Sequence, residues 1–141
     1  MKNENGFSLV ELLIAITLLA IGLLAVAGMQ STAINYNAWA NRLSTATSLA
    51  QEVMEDILAK DATDAIFSSS TSNVTYDLTG PNTTGNNISI SGAGTFSATR
   101  TITINSSCST PTVTVTGVVK VDVSVTDGTR TVTLTSCKRV V

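Results

Sequence analysis

Between Leu12 and Met29 the chain carries no charged residue, and Thr17 is the only clearly polar side chain. As a helix, this stretch of 18 residues would rise about 27 Å at 1.5 Å per residue. That is close to the ~30 Å hydrocarbon core of a bilayer, which takes about 20 apolar residues to cross. A run so uniform leaves no polar face for water, so it must be covered by lipid or by other protein. One carboxylate, Glu11, stands directly before it, with Leu9 and Val10 on one side and Leu12 and Leu13 on the other. An ionisable group at the centre of such a helix costs about 2.5–3.5 kcal/mol on insertion scales, so Glu11 needs a partner or a function.

The residues in front of the run are short and polar: Met1-Lys2-Asn3-Glu4-Asn5-Gly6, then Phe7. The stretch Gly6-Phe7-Ser8-Leu9-Val10-Glu11, followed by the apolar run, resembles the class III signal peptide and prepilin-type methylation motif of the type IV pilin family, shared with the pseudopilins of type II secretion. The resemblance implies that a prepilin peptidase cuts between Gly6 and Phe7 and that the new Phe7 amine is methylated. Cleavage would place a cation four residues before Glu11, one helical turn away. In a filament of such helices each Glu11 can pair with an amine, its own or a neighbour's, and both charges can be buried at reduced cost. A second reading takes Ala25-Val26-Ala27 before Gly28 as an ordinary signal-peptidase site. The product would then be a secreted soluble binding domain starting at Gly28. Against it, Lys2 is offset by Glu4, so the leader is not basic, and Glu11 abuts the apolar core.

Composition narrows the function classes. Histidine is absent, which removes the commonest general base and metal ligand. With no paired carboxylates outside the helix surface, the chain reads as a non-enzyme, and neither a cofactor nor a metal is expected. A net charge of −2 and 13% charged residues give no basic surface, so no nucleic-acid partner is predicted.

Past Met29 the pattern becomes amphipathic. Ala33, Tyr36, Ala40, Leu43, Ala46, Ala50, Val53 and Ile57 recur at three- and four-residue steps, widened by Trp39, Leu49, Met54 and Leu58. No proline interrupts Phe7 to Lys60, so one helix of about 54 residues, near 80 Å long, is expected. Gly22 and Gly28 are its weak points, each costing about 1 kcal/mol relative to alanine. Many pilins have a proline near the position of Gly28, where the helix can loosen on assembly; small residues also let helices approach closely.

A polar connection over residues 61–87 follows, pinned by Ile66, Phe67, Val74, Tyr76 and Leu78. Strands are expected over 87–91, 95–105, 113–127 and 129–137, the third marked by Val113, Val115, Val119, Val121, Val123 and Val125 on one face. Asp127-Gly128 signals a two-residue type I′ turn. Pairing Thr126 with Thr129 then sets Val123 against Val132 and Val121 against Leu134. The predicted fold is α+β and type IV pilin-like: a long N-terminal helix, half transmembrane and half amphipathic, on an antiparallel sheet of about four strands.

The organisation so read is a leader over 1–6, a transmembrane and assembly half-helix over 7–29, and a globular head over 30–141. Within the head lie the amphipathic helix 30–60, the connection 61–87, and the sheet and disulfide region 88–141. Two cysteines, Cys108 and Cys137, fit an exported chain with one disulfide; two free buried thiols are the alternative. In type IV pilins a C-terminal disulfide encloses a surface used for subunit contacts and receptor binding, and the resemblance carries that role to Cys108 and Cys137 by position. The hairpin Val121–Thr135 looks like the closing hairpin of PilV-type minor pilins. The resemblance therefore implies a structural subunit held in the inner membrane as a single-pass protein, then extracted by the assembly platform into an extracellular pilus. Its partners would be other pilin subunits, the prepilin peptidase, the platform and inner-membrane lipid. A type II secretion pseudopilin is the nearest alternative, and a bound calcium ion would favour it.

Overall fold

The computed structural model describes residues 8–78, 87–106 and 115–140. Its first element, α1, runs Leu9–Ala59, 51 residues without a break. Leucine, alanine and methionine supply strong helix propensity throughout, and the helix stays regular through Gly22 and Gly28. A methyl group added at either glycine would meet nothing within 4 Å, so the chain itself does not require the absence of a side chain there. Phe7 lies outside the described residues. Ser8 precedes the helix and accepts its first backbone bond, from Leu12 at 3.2 Å.

The chain divides into two compact units, Met1–Trp39 and Ala40–Val141. In the second, the C-terminal part of α1 packs on a sheet. From α1 the buried side chains are Ala46, Leu49, Ala50, Val53, Met54 and Ile57. The expected stripe therefore faces a core only from Ala46 onward: Ala33, Tyr36, Ala40 and Leu43 are exposed.

The segment read as a polar connection holds more structure than expected. A single 3-10 turn, Ala65–Phe67, is capped by Asp64, whose carboxylate accepts from the Ile66 amide at 3.0 Å. Next comes β1, Thr71–Tyr76, a strand hidden by its run of Thr, Ser and Asn. It pairs with the later strand β3, Gly94–Ile104, across an irregularity between Thr71 and Val74 where Asn73 takes φ 51°. Strand β2, Ile88–Ile90, pairs with the start of β3. The sheet continues with β4, Val118–Thr126, and β5, Thr131–Arg139. Its order is β1-β3-β4-β5 and every pairing is antiparallel.

Alternation in β4 places Val119, Val121, Val123 and Val125 inward, all at most 1% exposed. They join Phe96, Ala98 and Ile102 of β3 and the buried residues of α1 in one core. Phe67 is buried with them, and Ile66, Tyr76 and Leu78 pack against its edge. This is the α+β, pilin-like arrangement expected from the sequence, with five strands where about four were expected. Val113 falls outside the described residues, and Val115 is exposed, so the core face of β4 begins at Val119.

The β4–β5 hairpin corrects the predicted register. Thr126 pairs with Thr131, Val125 with Val132 and Val123 with Leu134. The connection is thus four residues, Asp127 to Arg130, not two. A type I′ turn needs positive φ at both central residues; Gly128 has it at 87°, but Asp127 does not. Instead the Asp127 carboxylate draws the loop around itself, accepting from the Thr129 amide at 2.9 Å, the Thr129 hydroxyl at 2.7 Å and the Arg130 amide at 2.8 Å. The difference from the predicted register is two residues. Parity is kept, so the apolar faces still point to the core.

Candidate functional site

The feature best suited to a function beyond folding is the first part of α1. Among the described residues, the large apolar side chains from Leu9 to Met29 are 50% to 74% exposed. α1 is long and apolar enough to cross a membrane. In such a setting every polar group must find a partner within the helix. Thr17, the polar side chain of the run, does so by donating its hydroxyl to the Ile14 carbonyl at 2.8 Å. Thr32 donates likewise to Gly28 at 3.1 Å.

Glu11 lies in the first turn of α1. The amides of a helix N-terminus carry partial positive charge, and a carboxylate there is favoured by that dipole. The side chain is exposed, which leaves it open to a cation from outside this part of the chain. Gly6 and Phe7, the predicted cleavage and methylation residues, lie outside the described residues. Cys137 sits in β5 opposite Lys120 and is not a free thiol. Its predicted partner Cys108 lies outside the described residues.

Sequence reasoning missed two polar contacts that hold the second unit together. Lys138 donates to the carbonyls of Leu58, at 2.8 Å, and of Lys60. Its ammonium also lies 4.9 Å from the centre of the Phe67 ring. It thereby satisfies carbonyls at the C-terminal end of α1, which no residue in the helix can reach. Tyr76 donates its hydroxyl to Asp56 on α1. Burial, and then this bond to a carboxylate, push the Tyr76 hydroxyl above its ordinary range. The signals were a lysine inside the alternation of a strand and a tyrosine in a polar stretch; neither points to its partner. Among the described residues no three histidine, cysteine or acidic side chains cluster as metal ligands.

These features define a chain with an exposed apolar helix, a carboxylate in its first turn, and a helix-on-sheet unit. Residues 1–27 match the family model of the prokaryotic N-terminal methylation motif. The match supports a type IV pilin-like or pseudopilin subunit. It covers 27 of the 141 residues. No curated protein and no solved structure matches the chain.

Proposed function

We propose that the chain is a structural subunit of a bacterial type IV pilus, a minor pilin of PilV-like kind. The prepilin peptidase cleaves it between Gly6 and Phe7, and the Phe7 amine is methylated. The subunit waits in the inner membrane until the assembly platform transfers it to an extracellular filament packed through residues 7–29. The observation that carries this reading is the exposed Glu11 at the head of an uncovered apolar helix, within a methylation motif. Buried among neighbouring apolar helices in a filament, a lone carboxylate is costly, and the amine released four residues upstream supplies the counter-charge. Processing then acts as the licence for assembly. The Cys108–Cys137 disulfide belongs to the same proposal; it would close a loop worth about 3–4 kcal/mol in the chain-entropy model.

The test is the mature N-terminus by intact mass. Methylated Phe7 is expected; a chain starting at Gly28 overturns the reading in favour of a secreted domain. A charged residue in place of Gly6 should leave the leader attached. Glu11→Ala should leave the protein stable in the membrane but deplete it from sheared filaments, and unchanged incorporation would refute the charge-pairing argument. Recovery with a secretion apparatus and not with surface pili would assign the subunit to the pseudopilins.

A further inference from the structure

We propose that Tyr36 and Trp39 anchor the subunit in the lipid headgroup layer of the leaflet opposite Glu11. The inference rests on the reading of α1 as a membrane span and specifies where that span ends. After Glu11 no charged residue occurs before Arg42, although the wholly apolar run stops at Met29. The intervening Gln30, Ser31, Thr32, Asn35 and Asn37 are polar but uncharged, and they alternate with Ile34, Tyr36 and Trp39. A helix segment meant only for water has no reason to avoid charge. The headgroup layer favours amphipathic rings with one apolar body and one polar tip, which Tyr36 and Trp39 supply at the end of this segment.

Length supports the same assignment. Trp39 follows Glu11 by 28 residues, about 42 Å along an unbroken helix. A bilayer with both headgroup regions is about 40–45 Å thick. If the carboxylate of Glu11 rests in one headgroup layer, Trp39 reaches the other, with Tyr36 about 4–5 Å nearer the hydrocarbon. A common tilt of about 20° changes this span by only a few ångströms. The two rings are three positions apart and so share a face. Tyr36 is 65% and Trp39 41% exposed. Lipid is the occupant favoured over a second copy of the chain, because these residues continue directly from the span and lie where its crossing length ends.

Trp39 is the only tryptophan, so its fluorescence reports this position alone. The full chain is reconstituted at low protein-to-lipid ratio in phosphatidylethanolamine–phosphatidylglycerol vesicles carrying nitroxide quenchers either in the headgroup or at mid-acyl chain. Headgroup quenchers should act several-fold more strongly than mid-chain ones, with weak quenching by aqueous iodide and no change on tenfold dilution into lipid. Moving the reporter with Tyr36→Trp in a Trp39→Phe background should shift the balance toward the mid-chain quencher. Strong iodide quenching in chains that float with the vesicles overturns the anchor while leaving the span intact. Protection lost on dilution overturns it in favour of a second copy. Failure to float with vesicles overturns the span and the anchor together.

Discussion

The two parts of α1 share one helical backbone, the first almost wholly apolar and the second amphipathic, and their apolar side chains meet opposite fates. In the first, Leu9 and Leu24 are each 74% exposed; in the second, Ala50 and Ile57 are fully buried. Helix propensity and local hydrogen bonding do not distinguish them. What decides is the partner: a sheet of the same chain covers residues from Ala46 onward, whereas the large apolar side chains from Leu9 to Met29 are exposed among the described residues. A helix whose apolar surface is left to its surroundings needs lipid or other protein to cover it. One whose surface is buried internally serves folding.

This contrast is sharpest for truncations of large side chains. Ile57→Ala should destabilise the second unit by about 2–5 kcal/mol, read by denaturant unfolding in detergent. Leu19→Ala should leave that unfolding transition in place, because Leu19 is 61% exposed. Equal losses at the two sites would break the comparison. Lys138→Met keeps most of the apolar stem but leaves the Leu58 and Lys60 carbonyls without their charged donor. A loss of about 1.5–3 kcal/mol is expected, with amide exchange rising first in the last turn of α1.

Tyr76→Phe should cost about 1 kcal/mol through the lost bond to Asp56. It should also remove an alkaline limb. Folding raises the Tyr76 pKa above its ordinary 10.0, so its contribution is complete below about pH 10 and falls as pH rises further. Melting temperature against pH, for wild type and variant, checks this. The smallest effect is at the hairpin. The bonds from the Thr129 side chain, the Thr129 amide and the Arg130 amide lower Asp127 from 3.8 to about 2. A lowered carboxylate pKa stabilises the fold above the unfolded value, so this contribution is present above about pH 4 and lost as pH falls toward 2. Faster exchange at the Thr129 and Arg130 amides over that window is expected, and Asp127→Asn should flatten it.

Much of the architecture was legible in consecutive residues. The absence of proline from Phe7 to Lys60 and the uncharged run from Leu12 to Met29 announced α1, and the alternating valines of β4 announced a half-buried strand with its correct inward face. Strand β1 was not legible, because its Thr-Ser-Asn start resembles a loop and its pairing lies with residues some 25 positions on. The hairpin register failed for a local reason: an Asp-Gly pair suits a two-residue turn, but here one carboxylate gathers three donors and widens the loop to four. Lys138 shows the limit most plainly, since it caps a carbonyl 80 positions away.

The amino-acid order by itself determined the leader-like start, the position of Glu11, the length of the apolar run and the parity of the main strands. These depend on spacing and hydropathy among near neighbours, which any backbone of the same type preserves. Only the tertiary structure decided where the helix begins to be buried, how β4 and β5 are registered, and which side chains close the end of α1. The first and last depend on groups far apart in the chain, and the register on one carboxylate meeting three nearby donors; these free energies appear only when folding brings donor, acceptor and apolar surface together.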